Sequence, residues 1–215
     1  MCNIRIYIKE YFIRILYAVN RVNKYINIYY ITMPKDAEIH KLCAKADYDG
    51  VEALFRPSST QIDVNIPGSG GRTPLHRAIG ANANDIVKSL IEKHNADVNK
   101  TDNTGRTAIH FSVISSNADI LEYLLEKDTS TINQLTDKKS SALHLAVNSS
   151  AHACLEVLLN KFDPDNNRII DVEIKNNNNV TAYEIACEKK DSQTISIFRK
   201  YKAAGAAKSG ACIIL

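Results

Sequence analysis

A short motif that returns at nearly constant intervals constrains the fold of this chain more than any other feature. The segment GRTPLH at residues 71–76 recurs 34 residues later as GRTAIH at residues 105–110. Reduced copies follow as SALH at residues 141–144 and TAYE at residues 181–184, and a degenerate copy starts at Ile39-His40. Repetition at this period is typical of proteins that stack one small structural unit several times.

Apolar residues hold fixed positions relative to each copy of the motif. Counted from the His of GRTPLH, positions +3 and +11 are apolar in every copy, at spacings that place them on the buried faces of two short helices. The +3 column comprises Cys43, Ile79, Val113, Val147 and Cys187, and the +11 column comprises Val51, Val87, Leu121, Leu155 and Ile195. Because one unit cannot bury both helices alone, we expect an all-α repeat solenoid of about five stacked repeats.

Local signals define the ends of the first helix in each unit. Thr73 is a good N-cap because its hydroxyl accepts a backbone hydrogen bond, and Pro74 fits the first helical position. Polar turn residues follow Asp97-Val98-Asn99 and its counterparts in the other copies. The predicted unit is therefore helix, helix, hairpin loop.

Together these features resemble the ankyrin repeat. The pattern D-V-N-x-x-D-x-x-G-x-T-P-L-H is nearly complete between Asp97 and His110, and the resemblance covers about residues 36–201. We expect an ankyrin repeat domain at residues 33–202, with atypical units at both ends. Lys139 stands in place of a turn glycine and Glu184 in place of the last motif histidine, so the hairpin turns there depart from the family pattern.

The resemblance implies that the stack binds a protein partner through its hairpin tips and the exposed faces of its first helices. We expect a monomeric chain without a cofactor. The positions that match this contact surface are Thr101, Asn103, Arg106, Asp137, Lys138, Ser140, Asn148 and Lys189.

The motif histidines are predicted to be structural. The family resemblance implies that His76, His110 and His144 hydrogen-bond to the backbone across neighbouring loops. A metal site or a catalytic site would need these side chains to converge, whereas the repeat spacing puts them in separate units. An enzyme would also need polar residues that meet in one pocket. The aligned columns of the internal repeats offer none, so we predict no enzymatic activity.

The cysteine pattern argues against both a disulfide scaffold and a zinc ribbon. Five cysteines are spread widely without a C-x-x-C pair, which favours a reducing compartment. Cys43, Cys154 and Cys187 lie in apolar columns, so we expect buried, unreactive thiols.

Residues 163–167 have the carboxylate spacing of the opening of an EF-hand loop. Arg168 stands where that loop needs glycine, and Ile174 where it needs its last glutamate. A solvated surface insertion is the preferred interpretation.

The basic charge of the chain is concentrated at its N-terminus. The net charge is +3 for the whole chain but −1 from Met33 onward, which leaves no electrostatic case for nucleic acid. Residues 1–32 hold eight Ile and six of the ten Tyr, but charged residues interrupt every apolar run, so neither a signal peptide nor a membrane span fits. We interpret residues 1–32 as an unstructured or untranslated leader, with an amphipathic membrane-surface segment as the alternative.

The last residues carry a lipidation signal. Cys212-Ile213-Ile214-Leu215 has the order of a C-a-a-X box, and the final Leu favours a geranylgeranyl group on Cys212. The Ala- and Gly-rich residues before it predict a flexible tail over 203–215. A single lipid chain needs a second membrane signal, for which the candidates are Arg199, Lys200, Lys202 and Lys208.

These features predict a protein–protein interaction adaptor held at the cytoplasmic face of a membrane through Cys212. The alternative is a soluble ankyrin-type inhibitor or regulator of a signalling protein that carries no lipid anchor.

Overall fold

The computed structural model of the protein describes residues 35–56, 62–163, 165 and 167–209. Within these residues ten α-helices form five consecutive pairs, which confirms the predicted all-α repeat solenoid. The first helices of the pairs are α1 Lys35–Ala44, α3 Pro74–Gly80, α5 Ala108–Ile114, α7 Ala142–Asn148 and α9 Ala182–Glu188. The second helices are α2 Tyr48–Leu54, α4 Asn84–Glu92, α6 Ala118–Lys127, α8 His152–Leu159 and α10 Ser192–Ser209.

The pairs stack in chain order and form two layers. In the first layer, α1 contacts α3, α3 contacts α5, α5 contacts α7, and α7 contacts α9. In the second layer, α2 contacts α4, α6 contacts α8, and α8 contacts α10. Each helix therefore buries one face against its pair partner and another against a neighbouring repeat, which is how a solenoid builds its core.

Side-chain caps and left-handed residues set the length of the first-layer helices. Thr73 Oγ1 accepts a hydrogen bond from His76 N at 3.4 Å, and Pro74 occupies the first turn, as predicted. Beyond the other end of each first-layer helix, one residue takes a positive φ and turns the chain toward the second layer. These residues are Ala46, Asn82, Ser116, Ser150 and Lys190, with φ between 52° and 56°.

The apolar columns form the core, as the repeat pattern predicts. Ile79, Val113 and Val147 of the +3 column are completely buried. Cys43 is also buried, and burial raises the pKa of its thiol to about 12. The expectation of burial is wrong for Cys187, which is exposed, because it lies on the last first-layer helix and no further described repeat covers that position.

The insertion after α8 is a short loop that braces the last helix. An antiparallel bridge between Phe162 and Arg168 closes it, and Asp163 Oδ1 accepts a hydrogen bond from Asn167 N at 2.7 Å. The Arg168 guanidinium carbon lies 3.8 Å from the centre of the Tyr201 ring, and Nη1 donates to Tyr201 O at 2.8 Å. The described residues, here and elsewhere, place no three His, Cys, Asp or Glu side chains where they would hold a metal ion.

The C-terminal boundary differs from the expectation. Residues 203–209 belong to α10, whereas the sequence predicts a flexible tail from residue 203. Four alanines in this stretch favour a helix that, once started, continues through the single glycine. The leader at 1–32 and the lipidation candidate Cys212 lie outside the described residues.

Candidate functional site

Four hairpin tips, at residues 68–72, 102–106, 136–140 and 176–180, share one turn geometry. In each tip the first residue donates its backbone N–H to the carbonyl of the fifth. The four bonds are Gly68–Arg72 at 2.8 Å, Asp102–Arg106 at 2.9 Å, Thr136–Ser140 at 3.0 Å and Asn176–Val180 at 3.0 Å. The repeat therefore presents the same backbone shape four times along one edge.

Backbone hydrogen bonds also join each tip to the next. Asn103 N donates to Gly70 O at 2.9 Å, and Asp137 N donates to Thr104 O at 3.0 Å. The last bond in this series runs from Asn177 N to Lys138 O at 3.2 Å. Because main-chain atoms make these bonds, the exposed tip side chains are held at fixed intervals along the edge.

The fourth residue of every tip adopts a positive φ, which favours glycine. Gly71 and Gly105 have φ of 72° and 74°, while Lys139 and Asn179 take 53° and 59°. Lys139 therefore forms the same turn as the glycines despite its departure from the family pattern. The left-handed region is small but open to non-glycine residues.

The carboxylate of Asp102 is hydrogen-bonded within its own tip. Its Oδ1 accepts hydrogen bonds from Thr104 N at 2.8 Å, Thr104 Oγ1 at 2.7 Å and Arg106 N at 3.0 Å. Burial raises the pKa of Asp102, but these hydrogen bonds and the Arg106 charge outweigh it and hold the pKa below its usual value. Asp102 is therefore a buried structural anion rather than a contact residue.

The motif histidines link the first-layer helices to the tips. Nδ1 of His76 accepts a hydrogen bond from Thr73 N at 3.1 Å, and Nδ1 of His144 accepts one from Ser141 N at 3.2 Å. On its other side, His144 Nε2 lies 3.0 Å from Val180 O in the next tip, so the ring bonds across repeats as the family resemblance implies.

Burial keeps two of these rings neutral. It lowers the pKa of both His76 and His110 to about 4. The Gln134 carbonyl faces the His110 ring, although the buried Nε2 of His110 has no hydrogen bond of normal geometry among the described residues. In the last unit Glu184 replaces the histidine, and its Oε2 accepts from Thr181 N at 2.7 Å.

The predicted contact positions lie on the tips and at the ends of the first-layer helices. Thr101, Asn103, Asp137, Lys138, Asn148 and Lys189 are exposed, and Arg106 and Ser140 are half-buried. The structure brings one pair together: Lys189 Nζ donates to Asn148 Oδ1 at 2.9 Å. The remaining positions are aligned along the tip edge without contacting one another through side-chain hydrogen bonds within the described chain.

The sequence interpretation missed an exposed apolar residue at the C-terminal end of α5. Ile114, the last residue of α5, is 40% exposed. One helical turn earlier, the Phe111 ring packs against the His76 ring at 4.7 Å between centroids. The guanidinium carbon of Arg72 lies 5.4 Å from the centre of the Phe111 ring. The signal was present in the +4 column, where the other four repeats have Ala44, Gly80, Asn148 and Glu188 instead of a large apolar residue.

Comparison with protein families identifies the repeat. A family model described as "Ankyrin repeats (3 copies)" matches residues 39–135. These residues match the ankyrin repeat. Ankyrin repeats are modules that bind other proteins, and the match points to no catalytic family.

The ankyrin match spans α1 to α6, and the two later helix pairs continue the same stack in the structure. No curated protein matches this chain. None of the described helices combines the length and the hydrophobicity needed to cross a bilayer.

Proposed function

We propose that this chain is an adaptor whose first-layer face and hairpin tips bind a protein partner, and whose C-terminus is tethered to a membrane. The observation that carries the binding half is the exposure of Ile114 at the C-terminal end of the first-layer helix α5. An exposed apolar side chain surrounded by polar groups is the usual composition of a binding hot spot and its rim.

Tyr48 provides the comparison, because it is the other large hydrophobic residue exposed in the described chain, at 37%. It lies on α2 in the second layer, where its hydroxyl accepts a hydrogen bond from Lys93 Nζ at 3.0 Å. The aliphatic side chain of Ile114 cannot form such a hydrogen bond. Ile114 is therefore the better anchor for a partner.

A site-specific photocrosslinker tests the binding half. Placed at position 114 in the full chain in cells, it should capture a partner that the same group at position 48 does not capture. Ile114→Gln should abolish partner retention and leave the helical circular dichroism unchanged. Equal crosslinking from both positions, or retention unaffected by Ile114→Gln, would contradict the proposal.

The membrane half rests on the C-a-a-X order of residues 212–215 and requires that the natural protein ends at Leu215. Geranylgeranylation of Cys212 would place the repeats at the cytoplasmic face of a membrane. The exposed Arg199 and Lys200 on α10 supply the second, electrostatic signal that a single lipid chain needs, at about 1 kcal/mol each near an anionic leaflet.

Mass spectrometry of the C-terminal peptide from the native source, together with membrane fractionation, tests this half. The peptide should carry a prenyl group, and Cys212→Ser should move the protein to the soluble fraction. Ala211→Ser is the matched control, because it leaves the box intact. An unmodified Cys212 with unchanged partition would instead support the soluble regulator.

A further inference from the structure

We infer that the partner segment recognised by this surface is acidic: a carboxylate-rich stretch of polypeptide with an apolar side chain that contacts Ile114. The inference rests on the proposed function and specifies the chemistry of its partner. The basic residues that carry it, here called the basic edge, are Arg72, Arg106, Lys138 and Lys139.

The basic edge lies on three consecutive tips. Arg72 and Arg106 are the fifth residues of the tips at 68–72 and 102–106, and Lys138 and Lys139 are the third and fourth residues of the tip at 136–140. The main-chain bonds between tips fix these positions relative to one another. Four cationic side chains are therefore held along the tip edge, at the N-terminal side of the first-layer helices, while Ile114 lies at the C-terminal end of α5.

These cations make no direct ion pair with a carboxylate within the described chain, although the Arg106 charge acts on the buried Asp102. None of the four takes part in an ion pair there. The two acidic residues of the same tips differ in availability: Asp102 is buried and bound by its own turn, and Asp137 is exposed. The edge therefore keeps a clear excess of uncompensated positive charge.

The second layer shows the opposite arrangement. There Lys93 Nζ lies 3.6 Å from Glu52 Oε1, and Lys127 Nζ lies 3.3 Å from Glu92 Oε1, so these two cations are paired. Acidic residues outnumber basic ones on helices α2, α4, α6 and α8: Asp49, Glu52, Asp85, Glu92, Asp119, Glu122, Glu126 and Glu156, against Lys88 and Lys127. The first four second-layer helices thus have the opposite charge balance to the basic edge, whereas α10 is basic through Arg199 and Lys200. Charge complementarity selects an anionic partner for the tip side.

The chain's own segments do not fit this edge. The residues outside the described ranges contain a single carboxylate side chain, Glu10, among five Lys and Arg. Residues 1–34 would therefore bring positive charge to a positive surface, and residues 210–215 have no acidic side chain to offer it. Charge complementarity points to a separate acidic chain.

Fluorescence anisotropy with a defined probe tests the inference on the full-length protein. The probe is a labelled synthetic peptide of ten Glu and Asp residues around a central Leu pair. Its matched control replaces each Glu and Asp with Gln and Asn. We expect the acidic peptide to bind at least about tenfold more tightly than the neutral one, with an affinity that falls as salt rises from low to physiological concentration.

Two double variants localise the effect. Arg106→Glu with Lys138→Glu should weaken binding of the acidic peptide by about tenfold or more, because it reverses two charges on the basic edge. Lys88→Glu with Lys127→Glu makes the same change in net charge on the second layer and should leave the affinity within about twofold. Circular dichroism melts of both variants check that the fold is retained.

The inference is overturned if the acidic and neutral peptides bind equally, if neither binds, or if the two double variants weaken binding to the same extent. Failure of the proposed function looks different, because it is read from crosslinking at position 114. A partner that crosslinks there but binds independently of salt and of the edge charges would leave the adaptor in place and remove only the acidic specificity.

Discussion

The imidazole Nε2 of His144 lies 3.0 Å from the carbonyl oxygen of Val180, so a buried side chain of one repeat is hydrogen-bonded to the hairpin tip of the next. The same ring accepts a hydrogen bond from Ser141 N at 3.2 Å. One side chain thus fixes both the start of its own helix and the position of the following tip.

Replacing His144 with Ala should destabilise the protein by about 2 kcal/mol, because it leaves buried backbone groups at Ser141 and Val180 without partners. Urea denaturation followed by circular dichroism measures this loss. His152→Ala is the matched control: this histidine is partly exposed and pairs with Asp191 at 3.3 Å, so its loss should cost under about 1 kcal/mol. Equal costs for the two variants would contradict the structural role of His144.

Stability should fall as the pH drops from about 6.5 to about 4. His76 and His110 have folded-state pKa values of about 4, against 6.5 for the free side chain. Between these pH values the two histidines bind protons in the unfolded chain but not in the folded protein. The free energy of unfolding therefore decreases with falling pH. The two rings together contribute on the order of a few kcal/mol. A urea titration series at several pH values measures the slope, and His110→Gln should reduce it.

Gly71→Ala should cost more stability than Gly70→Ala. Both glycines have positive φ, 72° and 76°, so both substitutions carry the backbone penalty of about 1 kcal/mol. A Cβ at position 71 would also overlap Asn103 Oδ1 and lie 2.7 Å from Asn103 N, whereas a Cβ at position 70 meets nothing within 4 Å. The difference in thermal midpoint between the two variants isolates the close approach of neighbouring tips. Equal midpoints would show that this approach relaxes freely.

Loss of Arg168 should loosen α10. The guanidinium of Arg168 stacks on Tyr201 and donates to its carbonyl, and Arg168→Lys keeps the charge without the planar stacking. We expect faster amide hydrogen exchange near Tyr201 in Arg168→Lys and no change in α5. Arg199→Lys, at an exposed position of α10, is the control and should leave the exchange pattern unaltered.

Cys187 should react with a thiol reagent in the native protein, while Cys43 and Cys154 should be protected. Cys187 is exposed, whereas burial raises the pKa of the other two thiols to about 12 and about 11. Peptide mapping after brief labelling distinguishes the sites. Modification of Cys43 at the rate of Cys187 would contradict the packing of the first repeat.

The periodic features of the fold were predictable because they recur. Five copies of one apolar pattern fix the helix pairs, and Thr73-Pro74 marks a helix start without reference to the rest of the chain. The features that depend on a neighbour were not predictable in this way. Cys187 belongs to an apolar column yet is exposed, because burial there needs a sixth repeat that the described chain does not supply.

The candidate surface was also only partly predictable from the sequence. The tip positions follow from the repeat register, but the resemblance alone did not single out Ile114, whose exposure depends on the small and polar residues at the same position in neighbouring repeats. The insertion after α8 was interpreted from sequence only as a surface loop. Its contact with Tyr201 joins residues 33 positions apart, and no local pattern encodes that contact.

Main-chain hydrogen bonds fix the spacing of the hairpin tips. They run from Asn103 to Gly70, from Asp137 to Thr104 and from Asn177 to Lys138. Exposed tip side chains such as Lys138 can be replaced without changing the main-chain distances between tips, whereas Gly71 and Asp102 are needed for the tip geometry itself. Selectivity for a new target can therefore be acquired one turn at a time, without rebuilding the scaffold beneath it.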